Sequence, residues 1–516
     1  MSNNHRNARS ASSANISLQI DVDGISTTEE CETLVIACDP RNLENANSKI
    51  INYSEKERAL FARLGNYTFH TTLLKVKVLD RDAKHGVIFA PEPLSEMDCS
   101  VYGFRNETAK SLGLDFANYV ENNWVTVYQI CGEREMPPTA AEFARVLREE
   151  IQTLEWWPFD RTDVEFHETV TTPYFDHFDG TDLVGHDPWR WFALQGNNNT
   201  VFVHASTCFE SVVHCWYYIN RLFDAPPNGK PVFGDPSDRI VILGAGVSGI
   251  LVANELRKRG YTNVKLFENT NRYGGKTHTV KKDQFGYFQK AHQIYCELGT
   301  CYLSPHYKAF IEATKEYQVG NKPIGFGGEG GTFRGIVTKG QFSEGFRTKY
   351  HVKPMEAFPD YVLMKAAQYL GENPKYKTAL KYEIEAAAAI YETKYVWYFG
   401  WPDYPMPKKP PKEFLEEYGT KSFGAYLDDN HMGILKGIMQ YAYSVQGYGP
   451  VEEIPAYYGL IWITPDILLA ALEGGANTTL ITAWSRGWGD LWDQMTVGMD
   501  ITLNAVTKSI DRKLQS

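Results

Sequence analysis

No stretch of this chain approaches the ~18 consecutive apolar residues that a membrane-crossing helix needs, so no spanning segment is expected. There is no Cys-x-x-Cys pair. The eight cysteines, Cys31, Cys38, Cys99, Cys131, Cys208, Cys215, Cys296 and Cys301, are scattered. That spacing suggests neither a zinc site nor a disulfide framework, and it fits a reducing compartment. Positive charge is not in excess either: the formal net charge is −11 and no basic stripe compensates it, which argues against nucleic acid as a partner. The opening MSNNHRNARSASSA is polar and lacks the apolar core of a signal peptide. Residues 1–15 are therefore expected to form a disordered tail on a soluble, cytoplasmic protein. No Ser-His-Asp or paired-carboxylate pattern is present, and no metal is implied.

What the chain does have is length and aromatic rings. Its 516 residues exceed what one core holds, so two to four domains are expected. Aromatic residues make up 14% of it, enough for a large core, an apolar cavity, or both. Near the middle lies RIVILGAGVSGILVANELRKRGYTNVKLFE, from Arg239 to Glu268. Arg239 to Leu243 reads as a buried parallel strand, followed by a helix to about Arg259 and a second strand ending at Glu268. Between the first strand and the helix stands Gly244-Ala-Gly246-Val-Ser-Gly249. Gly244 permits the tight turn, Gly246 lets backbone approach a pyrophosphate, and Gly249 lets helix and strand pack closely. The helix N-terminus offers N–H groups and a positive dipole end to phosphate. Glu268, 19 residues beyond Gly249, is placed to accept ribose hydroxyls.

Directly beyond, Arg272-x-Gly274-Gly275-Lys276 resembles the second glycine motif of FAD enzymes in the amine-oxidase group. In that group the arginine and backbone N–H groups add contacts to the pyrophosphate, so the cofactor implied is FAD. Three later segments also resemble the group. CELGTCYLSPHY (Cys296 to Tyr307) is similar to a strand and turn near the flavin ring, which implies Gly299 beneath the ring. GYGPVEEIPAYYGLIW (Gly447 to Trp462) is similar to a substrate-domain segment. GWGDLWDQMTVGMDITLNAVTKSIDRK (Gly487 to Lys513) is similar to the returning helix and strand, and implies that Val506 touches the adenine.

The family's usual continuation lies at the other end of the chain. ISLQIDVDGISTTEECETLVIACDP (Ile16 to Pro40) resembles the hairpin and strand that follow. PWRWFALQGNNNTVFVHASTCFESVVHCWYYINRLF (Pro188 to Phe223) resembles the family's last flavin-binding strand and helix. The resemblance implies that the two halves stand in circularly permuted order, with an unrelated N-terminal domain as the alternative. The join is DAPPNGKPVFGDPSD, residues 224–238, rich in Pro and Gly and able to span at most ~50 Å. The fold expected is α/β: a Rossmann-like FAD-binding domain with a discontinuous mixed-sheet α+β substrate domain, circularly permuted. The FAD domain takes residues 16–56, 185–223, 239–299 and 474–513; the substrate domain takes 57–184 and 300–473; 224–238 is the linker. MPPTAAEFARVLREEIQTL and YVLMKAAQYL are expected as helices on the mixed sheet.

RYGGKTHT, QGYGPVEEIPAYY, GDLW, NYSEKERALFARL, TPYFDHF and LQGNNNT…FESVVHCWYYINRL together resemble the FAD-dependent polyunsaturated fatty acid double-bond isomerases most closely. That resemblance implies hydride transfer from a bis-allylic carbon to flavin N5 and back to a different carbon, with an apolar fatty acid as substrate and no strong side-chain base. It implies Glu210 and Ser211 at the flavin O2 edge, with ordinary helix capping as the alternative. Tyr448 and Trp191 are expected to line the substrate path, with core packing open for both; Trp189, Trp216 and Tyr217 are further wall candidates. For the substrate carboxylate the chain offers Arg334 or Arg347. At His204 to Thr207 it departs from the family's Gly-Glu pair. The competing readings are an amine or amino-acid oxidase, with Lys75 or Lys77 holding a water near N5, a dehydrogenase of a secondary metabolite, and a relic that binds FAD for stability alone.

Overall fold

The computed structural model describes residues 15–45, 48–79, 86–89, 99–133, 138–154, 157–286, 290–304, 307–325, 334–336, 358–371, 377–400, 409–473 and 482–513. Residues 1–14 of the expected tail, and Arg347, lie outside them. The chain divides into two compact units: residues 1–63, 187–275 and 495–516 form one, and residues 64–186 and 276–494 the other.

The first unit is built on five parallel strands. In spatial order they are Thr200–Phe202, Thr33–Ile36, Ile240–Leu243, Val264–Phe267 and Asp500–Thr502. The first three are buried along their whole length, as short unbroken apolar runs in a parallel sheet should be. Helix Val247–Lys258 follows the third strand directly and packs against helix Val212–Asp224. Beside this sheet, strand Ile16–Val22 pairs antiparallel with both Ile25–Cys31 and Ala505–Arg512. Helix Glu55–Phe61 starts at a capping box in which Ser54 and Glu57 satisfy each other's backbone N–H groups. Its last residue, Phe61, stacks on Trp191 at 4.7 Å and meets Phe202 edge-on. Residues 224–238 are more than a tether: Phe233 is buried, stacks on Phe223 at 4.8 Å, and Tyr261 Oη donates to Gly234 O.

The second unit carries a six-stranded sheet in the order Phe159–His177, Gly65–Val78, Asn122–Cys131, Val101–Asn106, Val87–Phe89, Arg334–Ile336. Every pairing is antiparallel except the last. Strand alternation sends neighbouring side chains to opposite faces. Leu74, Val125 and Val127 pack under helix Ala140–Thr153 with Leu147 and Ile151. Leu73 and Trp124 pack on the other face against Val280 and Ile294 of hairpin Thr279–Phe285/Ala291–Glu297 and against Leu298 just past it. A helical region comprises Phe358–Leu370, Lys377–Phe399, Lys412–Tyr418, Phe423–Asp429, Lys436–Gln446, Ala456–Trp462 and Pro465–Glu473. No helix among the described residues is long and apolar enough to cross a membrane.

Three expectations need correction. Residues 276–299 and 482–494 group with the sheet unit, because hairpin 279–297 fills that sheet's second face and Trp488 N donates to the Glu297 side chain; residues 57–63 group with the parallel-sheet unit through Phe61. Helix Phe358–Leu370 packs on helices Lys377–Phe399 and Lys436–Gln446, not on the mixed sheet. A disulfide joins Cys99 to Cys131, where the ends of two adjacent strands bring their Cα atoms to 4.5 Å. The cysteine spacing therefore does not exclude disulfides and no longer argues for a reducing compartment.

Inside the sheet unit, His70 is fully buried, stacked on Phe143 at 4.2 Å and in contact with the hydroxyls of Thr171 and Thr72. Burial pushes its imidazole down to about 4, whereas an unfolded histidine titrates near ~6.5. Between those values the unfolded chain binds a proton that the folded one refuses. Stability should therefore fall as pH drops from about 6.5 toward 4, by up to roughly 3 kcal/mol from this residue. Urea denaturation across that range should show a shallower slope for His70→Gln than for the parent; equal slopes would remove His70 as the cause.

Candidate functional site

In the first unit, strands Thr200–Phe202, Thr33–Ile36, Ile240–Leu243 and Val264–Phe267 all end at one edge. The strand order reverses there: the chain leaves Ile240–Leu243 for Val264–Phe267 on one side, while Thr33–Ile36 lies on the other. Open α/β sheets bind ligands at such a switch point. The turn at Gly244 has φ +100, a conformation that favours glycine, and a Cβ there would stand 3.1 Å from the Ala37 carbonyl group. Gly246 is the N-cap of helix Val247–Lys258, so no side chain covers the helix's first N–H groups. A Cβ on Gly249 would collide with the Gly244 carbonyl oxygen.

The second glycine motif lies directly against the first. Gly274 N donates to Ala245 O at 2.8 Å, and Gly246 bridges Gly274. A Cβ on Gly275 would stand 3.0 Å from Gly246 Cα. Arg272 Nη2 donates to Gly275 O at 2.9 Å, and burial lowers the pKa of its guanidinium, with Glu268 working in the opposite direction. Glu268 is 9% exposed. One carboxylate oxygen accepts from Ala245 N at 2.9 Å, and the other accepts from Thr270 N and Oγ1. The oxygen that accepts from Ala245 N has a second lone pair, so the carboxylate can still accept from a ligand. Ala505 N donates to Glu268 O at 2.8 Å, which sets Val506 one residue past this junction with 42% of its surface exposed. The backbone cradle around Gly246 and Gly275, bare of side chains, fits a pyrophosphate, and Glu268 fits a ribose beside it.

Sequence reasoning missed the loop after Thr33–Ile36. Burial pushes the Cys38 thiol up to about 12, with Asp39 and Glu268 adding to it. Burial alone would raise Asp39, but hydrogen bonds from Arg41, with Nη2 at 2.7 Å, and the nearby His204 hold it below the usual carboxylate range. The signal is the tripeptide Cys38-Asp39-Pro40 at the end of the strand. His204 caps its own short turn through Nδ1 and Ser206. Ser211 is the N-cap of helix Val212–Asp224, with Glu210 before it, partly exposed. Trp191, 1% exposed, is a core residue packed on Phe61 and Phe202. Trp216 and Tyr217 contact each other at 4.8 Å.

The remaining candidates belong to the second unit. Lys276 Nζ lies 5.7 Å from the Tyr174 ring centroid. A Cβ on Gly299 would run into the Lys276 carbonyl oxygen, and Thr300 N donates to that same oxygen. Tyr448 is buried between Gly447 and Gly449, both at positive φ. It stacks on Tyr174 at 5.7 Å and meets Phe175, Tyr443 and Trp462 at 5.1–6.0 Å. Lys75 and Lys77 pair with Glu165 and Glu121 on partly exposed strand positions. Arg334 opens a strand beside Val87–Phe89.

The chain belongs to the flavin-containing amine oxidoreductase family, whose profile matches residues 247–516, just over half of it. FAD is accordingly its cofactor. A polyenoic fatty acid isomerase of Ptilota filicina is 40% identical over 86 residues, 17% of this chain and 15% of that protein. A tryptophan 2-monooxygenase of Pseudomonas savastanoi is 41% identical over 51 residues, 10% and 9% of the two chains. The matched segments thus span less than a fifth of either relative. Among solved structures, a CLA-producing fatty acid isomerase from P. acnes superposes with a TM-score of 0.34 at 16% identity, over 53% of this chain and 52% of that one. A redesigned putrescine oxidase gives 0.31 at 18%, over 52% and 50%.

Two glycine variants separate shape from ligand contact. In Gly246→Ala the nearest atom to the new methyl is 3.7 Å away, so the apoprotein should melt within a few degrees of the parent while flavin affinity drops tenfold or more. Gly249→Ala must move the Gly244 turn and should cost about 1–3 kcal/mol of stability as well. Melting curves of apoprotein and the flavin absorbance retained after gel filtration measure both. Undiminished flavin in Gly246→Ala would contradict the cradle.

Proposed function

We propose that this flavin-containing amine oxidoreductase isomerises double bonds of a polyunsaturated fatty acid, moving them into conjugation. The observation that carries the reading is the aromatic wall around Tyr448. Tyr174, Phe175, Tyr443 and Trp462 offer ring faces and edges to an alkenyl chain. FAD, when bound, supplies both the acceptor and the donor of hydride at N5. The chain's own residues then have three tasks: bind an apolar chain, exclude water, and hold one carbon in register. The relative from Ptilota filicina supports this reading. Lys75 and Lys77, named for the oxidase alternative, pair with Glu165 and Glu121, which favours the isomerase reading.

In the same reading the chain is a circular permutation of the family's order, with a Rossmann-like FAD domain assembled from both halves. Strand Thr33–Ile36 lying parallel beside Ile240–Leu243 supports it, as does strand Ile16–Val22 paired antiparallel with Ala505–Arg512. Lys513 N donates to Asn15 O at 3.3 Å, so the chain could pass from one strand to the other through a short hairpin. Glu210, Ser211, Gly299 and Val506 are assigned to FAD, and Tyr448 to the substrate path.

Anaerobic incubation of the holoenzyme with linoleate tests the activity. Diene absorbance that accumulates while the flavin ends oxidised is the expected result. Lasting flavin bleaching would instead mean net oxidation. A re-ordered chain, joined through a hairpin between residues 513 and 15 and opened within 224–238, should fold and bind FAD with affinity within a few-fold of the parent.

A further inference from the structure

Helix Lys377–Phe399 of the second unit is apolar on two sides, and only one of them is covered. Its inner face runs through Leu380, Ile384, Ala388, Tyr391, Tyr395 and Phe399, all buried, and Tyr391 Oη donates to Ile463 O at 2.6 Å. Its outer face carries Tyr382, Ala386, Ala389, Ile390, Thr393 and Trp397, all exposed. At ~100° per residue these six fall within one stripe ~100° wide. Tyr382 is 68% exposed and Trp397 79%, and neither ring meets another among the described residues. A helix on the surface of a domain normally turns charge to water there, and contiguous exposed apolar surface marks a site of contact.

The charges beside the stripe fit a second copy of the same helix. Glu383 and Lys394 have no ion-pair partner among the described residues. They stand eleven residues apart, about three turns, and so share one flank of the stripe. On the opposite flank Glu385 already pairs with Lys381 of its own helix. A twofold axis perpendicular to the helix and passing by Ala389 lays a copy antiparallel on the stripe, like flank against like flank. Glu383 then comes level with the partner's Lys394, to within one residue or ~1.5 Å along the axis. The same rotation brings Tyr382 level with the partner's Trp397 and Ala386 level with the partner's Thr393. Large rings meet at both ends, and short side chains between them let the two helices approach. The helix carries three lysines and three glutamates, a balance that does not suit an anionic membrane surface. We propose that this face is the interface of a homodimer, formed by antiparallel packing of helix Lys377–Phe399 on its copy. The interface lies wholly on the second unit and is independent of which substrate is turned over.

Sedimentation velocity of the full chain loaded with FAD tests this, with retained flavin absorbance showing that each variant is folded. The parent should sediment as a dimer at micromolar concentration. Ala386→Arg sets a charge in the middle of the stripe and should give a monomer. Glu383→Lys and Lys394→Glu each set like charges against one another twice across the twofold, and should weaken association about tenfold. The double variant Glu383→Lys/Lys394→Glu restores both pairs with their signs exchanged and should dimerise within a few-fold of the parent. A monomeric parent, or an Ala386→Arg variant that still dimerises, would overturn the proposal. A double variant no better than the single ones would overturn the antiparallel pairing. A monomeric parent that co-sediments with vesicles of phosphatidylcholine and phosphatidylglycerol would give the face to a membrane instead. Absence of fatty acid turnover would bear on the proposed function alone.

Discussion

Main chain against main chain is the constraint on which the cofactor site depends. At positions 244, 249 and 275 the backbone of one segment approaches another too closely for an undisplaced side chain, and Gly246 and Gly274 are bridged beside them. Because Gly249 rides on the Gly244 carbonyl, helix Val247–Lys258 begins at the very end of its strand. Because Gly275 lies over Gly246, the second motif roofs the first. Glu268 then ties the two by accepting from Ala245 N. The helix dipole and its N–H groups are thereby delivered to one small volume, which is what binding a diphosphate requires.

The same constraint explains what could be read from the sequence. The glycines, the strand before them and Glu268 lie within thirty residues of one another, and local spacing encodes local geometry. The partner loop at Ala37–Asp39 is some two hundred residues away, and only its resemblance to a strand ending gave a clue. Cys99 and Cys131 escaped because their pairing follows from the register of two strands, Val101 opposite Gln129, which no cysteine spacing encodes. Trp191 stayed open between wall and core because an aromatic helix face looks alike whether it meets a ligand or Phe61. The charges at 105, 107 and 110 carry no sequence sign of burial. Their burial follows from helix Glu107–Leu112 being covered by strand Ala291–Glu297, which no pattern within residues 101–112 encodes.

Two buried ion pairs show that burial by itself does not define a role. Arg512 and Glu57 are as enclosed as Arg105 and Glu107, and Arg512 also reaches Thr200 Oγ1 and Asn52 O. Its bonds join a strand end, a helix start and a neighbouring strand, which is a framework task. The group of Arg105, Glu107 and Lys110 instead directs most of its surplus donors and acceptors at the backbone of Tyr295 and Glu297 in one strand end, with Thr126 Oγ1 also donating to Glu107. The distinction lies in where the remaining hydrogen bonds go once the charges have satisfied each other.

Chain order enters this structure only through loops. A parallel sheet does not record which strand was made first, provided each connection is long enough and ends on the correct side. Residues 224–238 meet that condition and have acquired packing of their own through Phe233. Loop-closure entropy grows only as the logarithm of length, so exchanging a hairpin for a fifteen-residue connection changes stability by about one kcal/mol. The glycine contacts, by comparison, tolerate no such exchange. On the permuted reading, selection on this fold acts on the backbone approaches at the strand ends and leaves the order of the halves nearly free.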